Sequence, residues 1–275
     1  MGRLAATVIL PYFPPVGGAG LARSGQKIRS CHAVKDSAES VNTANHESLP
    51  ERLHNVRERI TRACEACGRD PGEVQLLAVS KGHSAERIQA LADLGQKAFG
   101  ENYLQEARDK MDRFEGRTGL EWHFIGALQS NKTRAVAERF DWVHTVDRAK
   151  IARRLDRQRP EHLPPLSVCL QVNIDDDPRK AGCQADEVFG LAETVAGLEG
   201  LRLRGLMAMP RASEEFESQR KPFRALRILY EELQARGHAV DTLSMGMSGD
   251  LEAAVTEGAT LLRVGSALFG PRPAG

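Results

Sequence analysis

Between residues 75 and 265, short apolar runs alternate eight times with segments of helical spacing. The runs are 75–81 (QLLAVSK), 97–100 (KAFG), 121–126 (EWHFIG), 141–147 (DWVHTVD), 166–173 (LSVCLQVN), 201–209 (LRLRGLMAM), 242–246 (TLSMG) and 261–265 (LLRVG). Short, nearly continuous apolar runs of this kind suit strands buried on both faces. The intervening periodicity predicts helices over 84–94, about 102–114, from about 131, up to about 158, over 185–196 and 213–236, and a short one after Asp250. Strand–helix alternation implies parallel strands joined by right-handed crossovers. Eight such units in ~225 residues is the size of a (β/α)8 barrel. A doubly wound open sheet is the alternative. It usually carries G-x-G-x-x-G after its first strand, and neither that motif nor G-x-x-x-x-G-K-[ST] follows the first run.

One helix precedes the first strand. Ser48 and Glu51 have capping-box spacing, Pro50 sits in the first turn, and Leu53, Val56 and Ile60 recur at helical spacing until Gly68 and Pro71 end the pattern. The barrel domain is therefore expected over 48–275, with residues 1–47 as a disordered extension. Pro and Gly interrupt every apolar run of that extension, and its first 35 residues hold Arg3, Arg23, Lys27, Arg29 and Lys35 with no acid. This composition also fits an organelle transit peptide. The preferred reading is a disordered tail, or upstream sequence translated from a misassigned start, on a cytoplasmic protein. The chain stops ten residues after the eighth run, leaving no room for a second domain beyond the barrel.

Composition narrows the function classes. The net charge is +1, from 38 basic and 37 acidic residues, without the basic excess of a nucleic-acid or membrane-surface protein. No apolar run approaches the roughly 20 residues that span a bilayer. The five cysteines are an odd number in a long chain, which argues against a disulfide framework. Cys64 and Cys67 form a C-x-x-C inside a helical pattern, with no second pair and no histidine at ligand spacing; no metal site is expected.

A parallel barrel places its site at the carboxyl ends of its strands. The first run ends on Lys81. Alone, this is most simply a solvated lysine at a strand end; partly desolvated, it would be a nucleophile toward carbonyls. The second run leads to Glu101 and Asn102. His123 lies in the third, where the alternation leaves open whether it faces inward, and a lone histidine is more often structural than catalytic. The seventh leads through Met245 and Gly246 to Ser248, Gly249 and Asp250; the eighth leads from Arg263 to Gly265 and Ser266. Small residues with hydroxyls after strands seven and eight match the usual phosphate position of these barrels. Arg263 shares a strand face with Gly265 and lies deeper. A buried arginine needs an acceptor, such as a ring nitrogen, a carboxylate or a structural salt bridge.

These stretches, together with FGENYLQEA at 99–107, WHFIGALQSNK at 122–132, QVNI at 171–174, KAG at 180–182, GLMAM at 205–209, LSMGMSGD at 243–250 and RVGSALFG at 263–270, keep a specific order. The sequence resembles the family of pyridoxal 5′-phosphate (PLP) binding proteins that includes the bacterial YggS proteins and the eukaryotic PLP homeostasis protein. The resemblance covers 48–270. It implies a barrel like the N-terminal domain of alanine racemase, with Lys81 as the lysine that carries PLP as a Schiff base. It implies that Ser248, Gly265 and Ser266 hold the phosphate, that Arg263 faces the pyridine nitrogen, and that Asn102 lies near the cofactor, with His123 and Met245 as further candidates. An arginine there keeps the ring nitrogen unprotonated and weakens PLP as an electron sink.

The function so implied is PLP homeostasis: reversible binding and delivery of PLP to PLP-dependent apo-enzymes by a monomer without robust turnover. The alternative is a PLP-dependent racemase or decarboxylase, which needs a second proton donor across the ring; Tyr103 and His123 are the candidates. A Schiff-base aldolase using Lys81 without PLP is the third reading.

Overall fold

Eight short parallel strands pair in chain order and close on themselves. They are β1 (Gln75–Val79), β2 (Ala98–Glu101), β3 (Glu121–Phe124), β4 (Trp142–Val146), β5 (Leu166–Gln171), β6 (Leu201–Met207), β7 (Thr242–Ser244) and β8 (Leu261–Val264). Closure is the pairing of β1 with β8, from Gln75 opposite Leu261 to Ala78 opposite Val264. The computed structural model describes residues 47–271, so the expectations for residues 1–46 fall outside the described residues.

Each observed strand lies within one residue of an apolar run, and most stop short of its carboxyl end. The reason is chemical. Ser80, Lys81, Gly126, Asn173, Gly246 and Gly265 belong to the runs but leave the ladders as mouth loops. The helices follow the same rule: α1 (Leu49–Ala66), α2 (Ala85–Asp93), α3 (Leu104–Met111), α4 (Thr133–Arg139), α5 (Ala149–Gln158), α6 (Val188–Ala196), α7 (Phe216–Ala235) and α8 (Leu251–Thr256). The Ser48–Glu51 capping box is formed, with the Ser48 N–H donating to Glu51 at 2.7 Å. A single helical turn that the pattern did not announce, α9 (Ser266–Phe269), follows β8 directly.

Two shells of side chains hold this arrangement. Alternate strand residues such as Ala78, Phe99, Phe124 and Leu262 face outward, where they pack with helix residues such as Ile60, Ile88 and Leu155 in one buried cluster. Inside the barrel lie Leu77, Val79, Ala98, Ile125 and Leu261 on one side and Trp142, Cys169 and Met207 on the other. His123, His144, Ser244 and Arg263 are buried there as well. That polar interior sits under the site.

Helix α1 lies against the last part of the barrel. Arg59 donates to both carboxylate oxygens of Glu252 on α8 at 2.9 Å, and its Nη2 donates to the Ser248 carbonyl at 3.1 Å. The extra helix thereby tethers the loop after β7.

Candidate functional site

At the carboxyl ends of the strands is a cavity of about 420 Å³. Lys81 and His83 enter it from the turn after β1, Asn102 from β2, Ile125 from β3, Met209 from β6, Met247, Ser248 and Gly249 from β7, and Arg263, Gly265 and Ser266 from β8, with Val79, Gly270 and Pro271 completing the wall. Six of the eight candidate residues therefore meet in one place: Lys81, Asn102, Ser248, Arg263, Gly265 and Ser266. The volume lies in the range of small-molecule sites.

The loops are shaped for this. Gly246 turns the chain out of β7 at φ +90, and a Cβ there would come within 2.5 Å of the Ala254 Cβ. That turn brings Ser248 opposite Ser266: the Ser266 hydroxyl donates to Ser248 Oγ at 3.2 Å, and the Ala267 N–H donates to the same oxygen at 3.3 Å. Two hydroxyls and the first turn of α9 thus converge at one end of the cavity, a donor-rich corner suited to an anion. Gly126, after β3, touches the backbone of Asn102 so closely that a Cβ would lie 2.0 Å from the Asn102 carbonyl oxygen.

Lys81 is half-buried in the wall of the same cavity, and its backbone is held from behind. The Lys110 ammonium donates to the Ser80 carbonyl at 2.8 Å, to Glu101 Oε1 at 2.7 Å and to Glu106 Oε1 at 2.6 Å. Glu106 Oε1 in turn accepts the Gly82 N–H at 2.5 Å, and the Ser80 hydroxyl donates to Glu101 Oε1 at 2.6 Å. Glu101 is fully buried, and burial pushes its carboxyl up, against the pull of Lys110 and Ser80.

Arg263 forms the floor. It is 3% exposed, and its guanidinium donates to Ser244 Oγ at 2.8 Å and to the Ala208 carbonyl at 2.9 Å. No carboxylate pairs with it among the described residues, so its partners are neutral acceptors and not the salt bridge that sequence left open. Burial pulls Arg263 down to about 10, which still leaves it charged at neutral pH.

The remaining two candidates lie elsewhere. His123 faces inward but below the cavity, fully buried, stacked on Trp142 with ring centroids 5.1 Å apart and 2.9 Å from His144. Met245 is buried in the outer core; Met209 and Met247 are the methionines of the cavity wall. Tyr103 is 63% exposed and is not part of that wall.

Several contributors were missed from sequence. His83 lines the wall and stacks on Phe269 at 4.6 Å. Glu101, Glu106 and Lys110 hold the Lys81 turn; the i,i+4 spacing of Glu106 and Lys110 was the one available signal. Ser244 and His144 carried none, because their partners come from other strands. Among the described residues no cluster of metal-ligating side chains occurs, and Cys64 and Cys67 are free thiols on α1 and its cap.

A family model described as alanine racemase, N-terminal domain, matches residues 52–273. The pyridoxal phosphate homeostasis protein of Escherichia coli (strain K12) is 52% identical over 222 residues, 80% of this chain and 95% of that protein. The protein of the same name from Pseudomonas aeruginosa is 51% identical over 228 residues, 83% of this chain and 97% of the relative. The structure of PipY from Synechococcus elongatus with PLP bound superposes with a TM-score of 0.71 at 36% identity, covering 81% of this chain and 100% of PipY. Alanine racemase from Corynebacterium glutamicum shares the fold, with a TM-score of 0.62 at 17% identity over 82% of this chain and 61% of the racemase.

Proposed function

The chain belongs to the alanine racemase N-terminal-domain family and, within it, to the pyridoxal phosphate homeostasis proteins, and from that membership we propose that it binds PLP reversibly at the barrel mouth and serves PLP homeostasis. The observation that carries this reading is the meeting of Lys81, Arg263 and the Ser248–Ser266 pair in one cavity of about 420 Å³.

The residues present suit the group. Asn102 Oδ1 is buried in the cavity wall without a hydrogen-bond partner among the described residues. A guanidinium has five N–H donors, and Arg263 makes two hydrogen bonds within the described residues. Lys81 offers the primary amine, and the hydroxyls with the first turn of α9 offer the donors that a phosphate needs. When bound, PLP supplies an aldehyde that condenses reversibly with a primary amine and releases water.

The chain's own part is to hold and to restrain. Ser248, Ser266 and Gly265 hold the phosphate, Lys81 holds the aldehyde end, and Arg263 keeps a positive charge at the cavity floor. A cation there disfavours a protonated ring nitrogen and so limits carbanion chemistry. Turnover of an amino acid by racemisation also needs a second proton donor opposite the lysine. His83 comes from the same turn as Lys81, Tyr103 is outside the wall, and His123 is sealed below it. The protein therefore acts as a non-catalytic carrier that delivers PLP to apo-enzymes.

Titration of the purified protein with PLP should produce a visible band that borohydride bleaches and that Lys81→Ala removes, with the reduced adduct on Lys81 by mass spectrometry. A protein that stays colourless overturns the proposal. Rapid Lys81-dependent deuterium exchange at the Cα of an amino acid would overturn the non-catalytic part alone.

A further inference from the structure

A row of polar side chains crosses the barrel interior beneath the cavity. Arg263 Nη1 donates to Ser244 Oγ at 2.8 Å. Ser244 Oγ lies 2.8 Å from His144 Nδ1, and His144 Nε2 lies 2.9 Å from His123 Nδ1. His123 Nε2 faces Glu121 Oε2 at 3.7 Å, and Glu121 is half-exposed at the amino end of β3. Arg263, Ser244, His144 and His123 come from four different strands, and all are buried.

The groups at the two ends of this row favour one direction for its protons. An arginine donates and never accepts, so Ser244 must accept from Arg263. The Ser244 hydroxyl then has one hydrogen to place, and His144 Nδ1 is its remaining side-chain neighbour among the described residues. A proton on Nδ1 would leave that hydrogen buried and unpaired, so Nδ1 accepts. The His144 proton is then on Nε2 and goes to His123 Nδ1, which puts the His123 proton on Nε2. At the far end His123 Nε2 has no hydrogen-bond partner among the described residues, but an Nε2–H 3.7 Å from the Glu121 carboxylate is attractive and a lone pair there is repulsive. Burial holds both rings below the usual histidine range, and His144 also feels the His123 ring and Arg263.

We propose that Ser244, His144 and His123 are positioning residues for Arg263, a one-way hydrogen-bond chain that fixes the charged guanidinium at the cavity floor. None of the three lines the cavity. They act on a bound ligand through Arg263 alone. Aligned donors polarise one another in a buried row, so the anchor at Ser244 is stronger than an isolated pair would be.

Two measurements test this, and only the second rests on the PLP reading. Nitrogen NMR of histidine-labelled, PLP-free wild-type protein at neutral pH should show His144 and His123 as neutral Nε2–H tautomers. An Nδ1–H tautomer at either ring overturns the chain, and this measurement needs no variant. In PLP-loaded protein, Ser244→Ala should shift the visible band and weaken PLP binding on the order of tenfold, as expected for losing a hydrogen bond to a charged group. A Ser244→Ala protein with wild-type band and affinity overturns the positioning role. If the wild-type protein develops no band, the PLP reading fails and the tautomers alone decide the chain.

Discussion

Lys110 holds both peptide groups that flank Lys81, one by its own ammonium at 2.8 Å from the Ser80 carbonyl and the other through Glu106, which accepts the Gly82 N–H. The lysine of the cavity is thus aimed by a second lysine, buried behind it and neutralised by Glu101 and Glu106. Lys110→Met would strand the Glu101 carboxylate, fully buried, without its cation. Breaking a buried pair from one side costs about 3–5 kcal/mol, whereas replacing both partners with neutral groups is often nearly neutral. Urea unfolding should therefore place Lys110→Met well below wild type and the Lys110→Met, Glu101→Gln double variant closer to wild type than the single. A double variant no more stable than the single would show that the pair is not coupled.

The contributions of Lys81 and of the Ser248–Ser266 pair are separable by ligand chemistry. Pyridoxine 5′-phosphate keeps the ring and phosphate of PLP but has an alcohol in place of the aldehyde. Lys81→Ala should weaken PLP binding strongly and leave binding of the alcohol close to wild type. Ser248→Ala with Ser266→Ala should weaken both ligands, by about 1–3 kcal/mol for loss of hydrogen bonds to a charged group. Calorimetric titration of the four combinations reads this directly. If the serine variant binds both ligands as wild type does, the corner at Ser248 and Ser266 is not the phosphate site.

Gly126 offers a test that touches the cavity only through a neighbour. A Cβ there would sit 2.0 Å from the Asn102 carbonyl oxygen, so Gly126→Ala must displace Asn102 backbone. Asn102 is a cavity-wall residue with its side-chain oxygen unpaired among the described residues. The substitution should lower the melting temperature and also weaken PLP binding. Reduced stability with unchanged affinity would remove Asn102 from the ligand's surroundings.

What the sequence made legible divides along a physical line. The eight strands were readable because each is an apolar run that a parallel barrel buries on both faces, and the loops after β7 and β8 drew notice because their small residues and hydroxyls match the usual phosphate position of such barrels. Ser248 and Ser266 carry that signal in their own neighbourhoods. The interior was not readable. His123 and His144 sit in strands where mixed alternation hides which face is inward, and each is meaningful only through the other at 2.9 Å. The same holds for Ser80, Glu101 and Lys110, whose carboxylate and ammonium come from β2 and α3 to meet behind β1. Barrel closure and helix docking set those distances, and no local spacing encodes them.

The interior histidines also set an acid limit on stability. Burial depresses the native pKa of His144 well below 6.5 and lowers that of His123. As pH falls through 6.5 the unfolded chain takes up protons that the native rings refuse. Stability present above that pH is therefore lost as pH drops from 6.5 toward the native values. Each ring contributes a slope of up to about 1.4 kcal/mol per pH unit. Glu101 acts with the opposite sign, since its raised native pKa lets the folded state bind a proton above the usual carboxylate range. That contribution is common to wild type and a histidine variant and cancels between them. Urea unfolding over the pH unit or two below 6.5 should show wild-type stability falling with acid, and His144→Phe, though less stable at neutral pH, falling less steeply by up to one proton's slope. Parallel pH dependences for the two proteins would mean that the ring titrates as freely in the barrel as in the unfolded chain, and would overturn the effect assigned to its burial between Ser244 and His123.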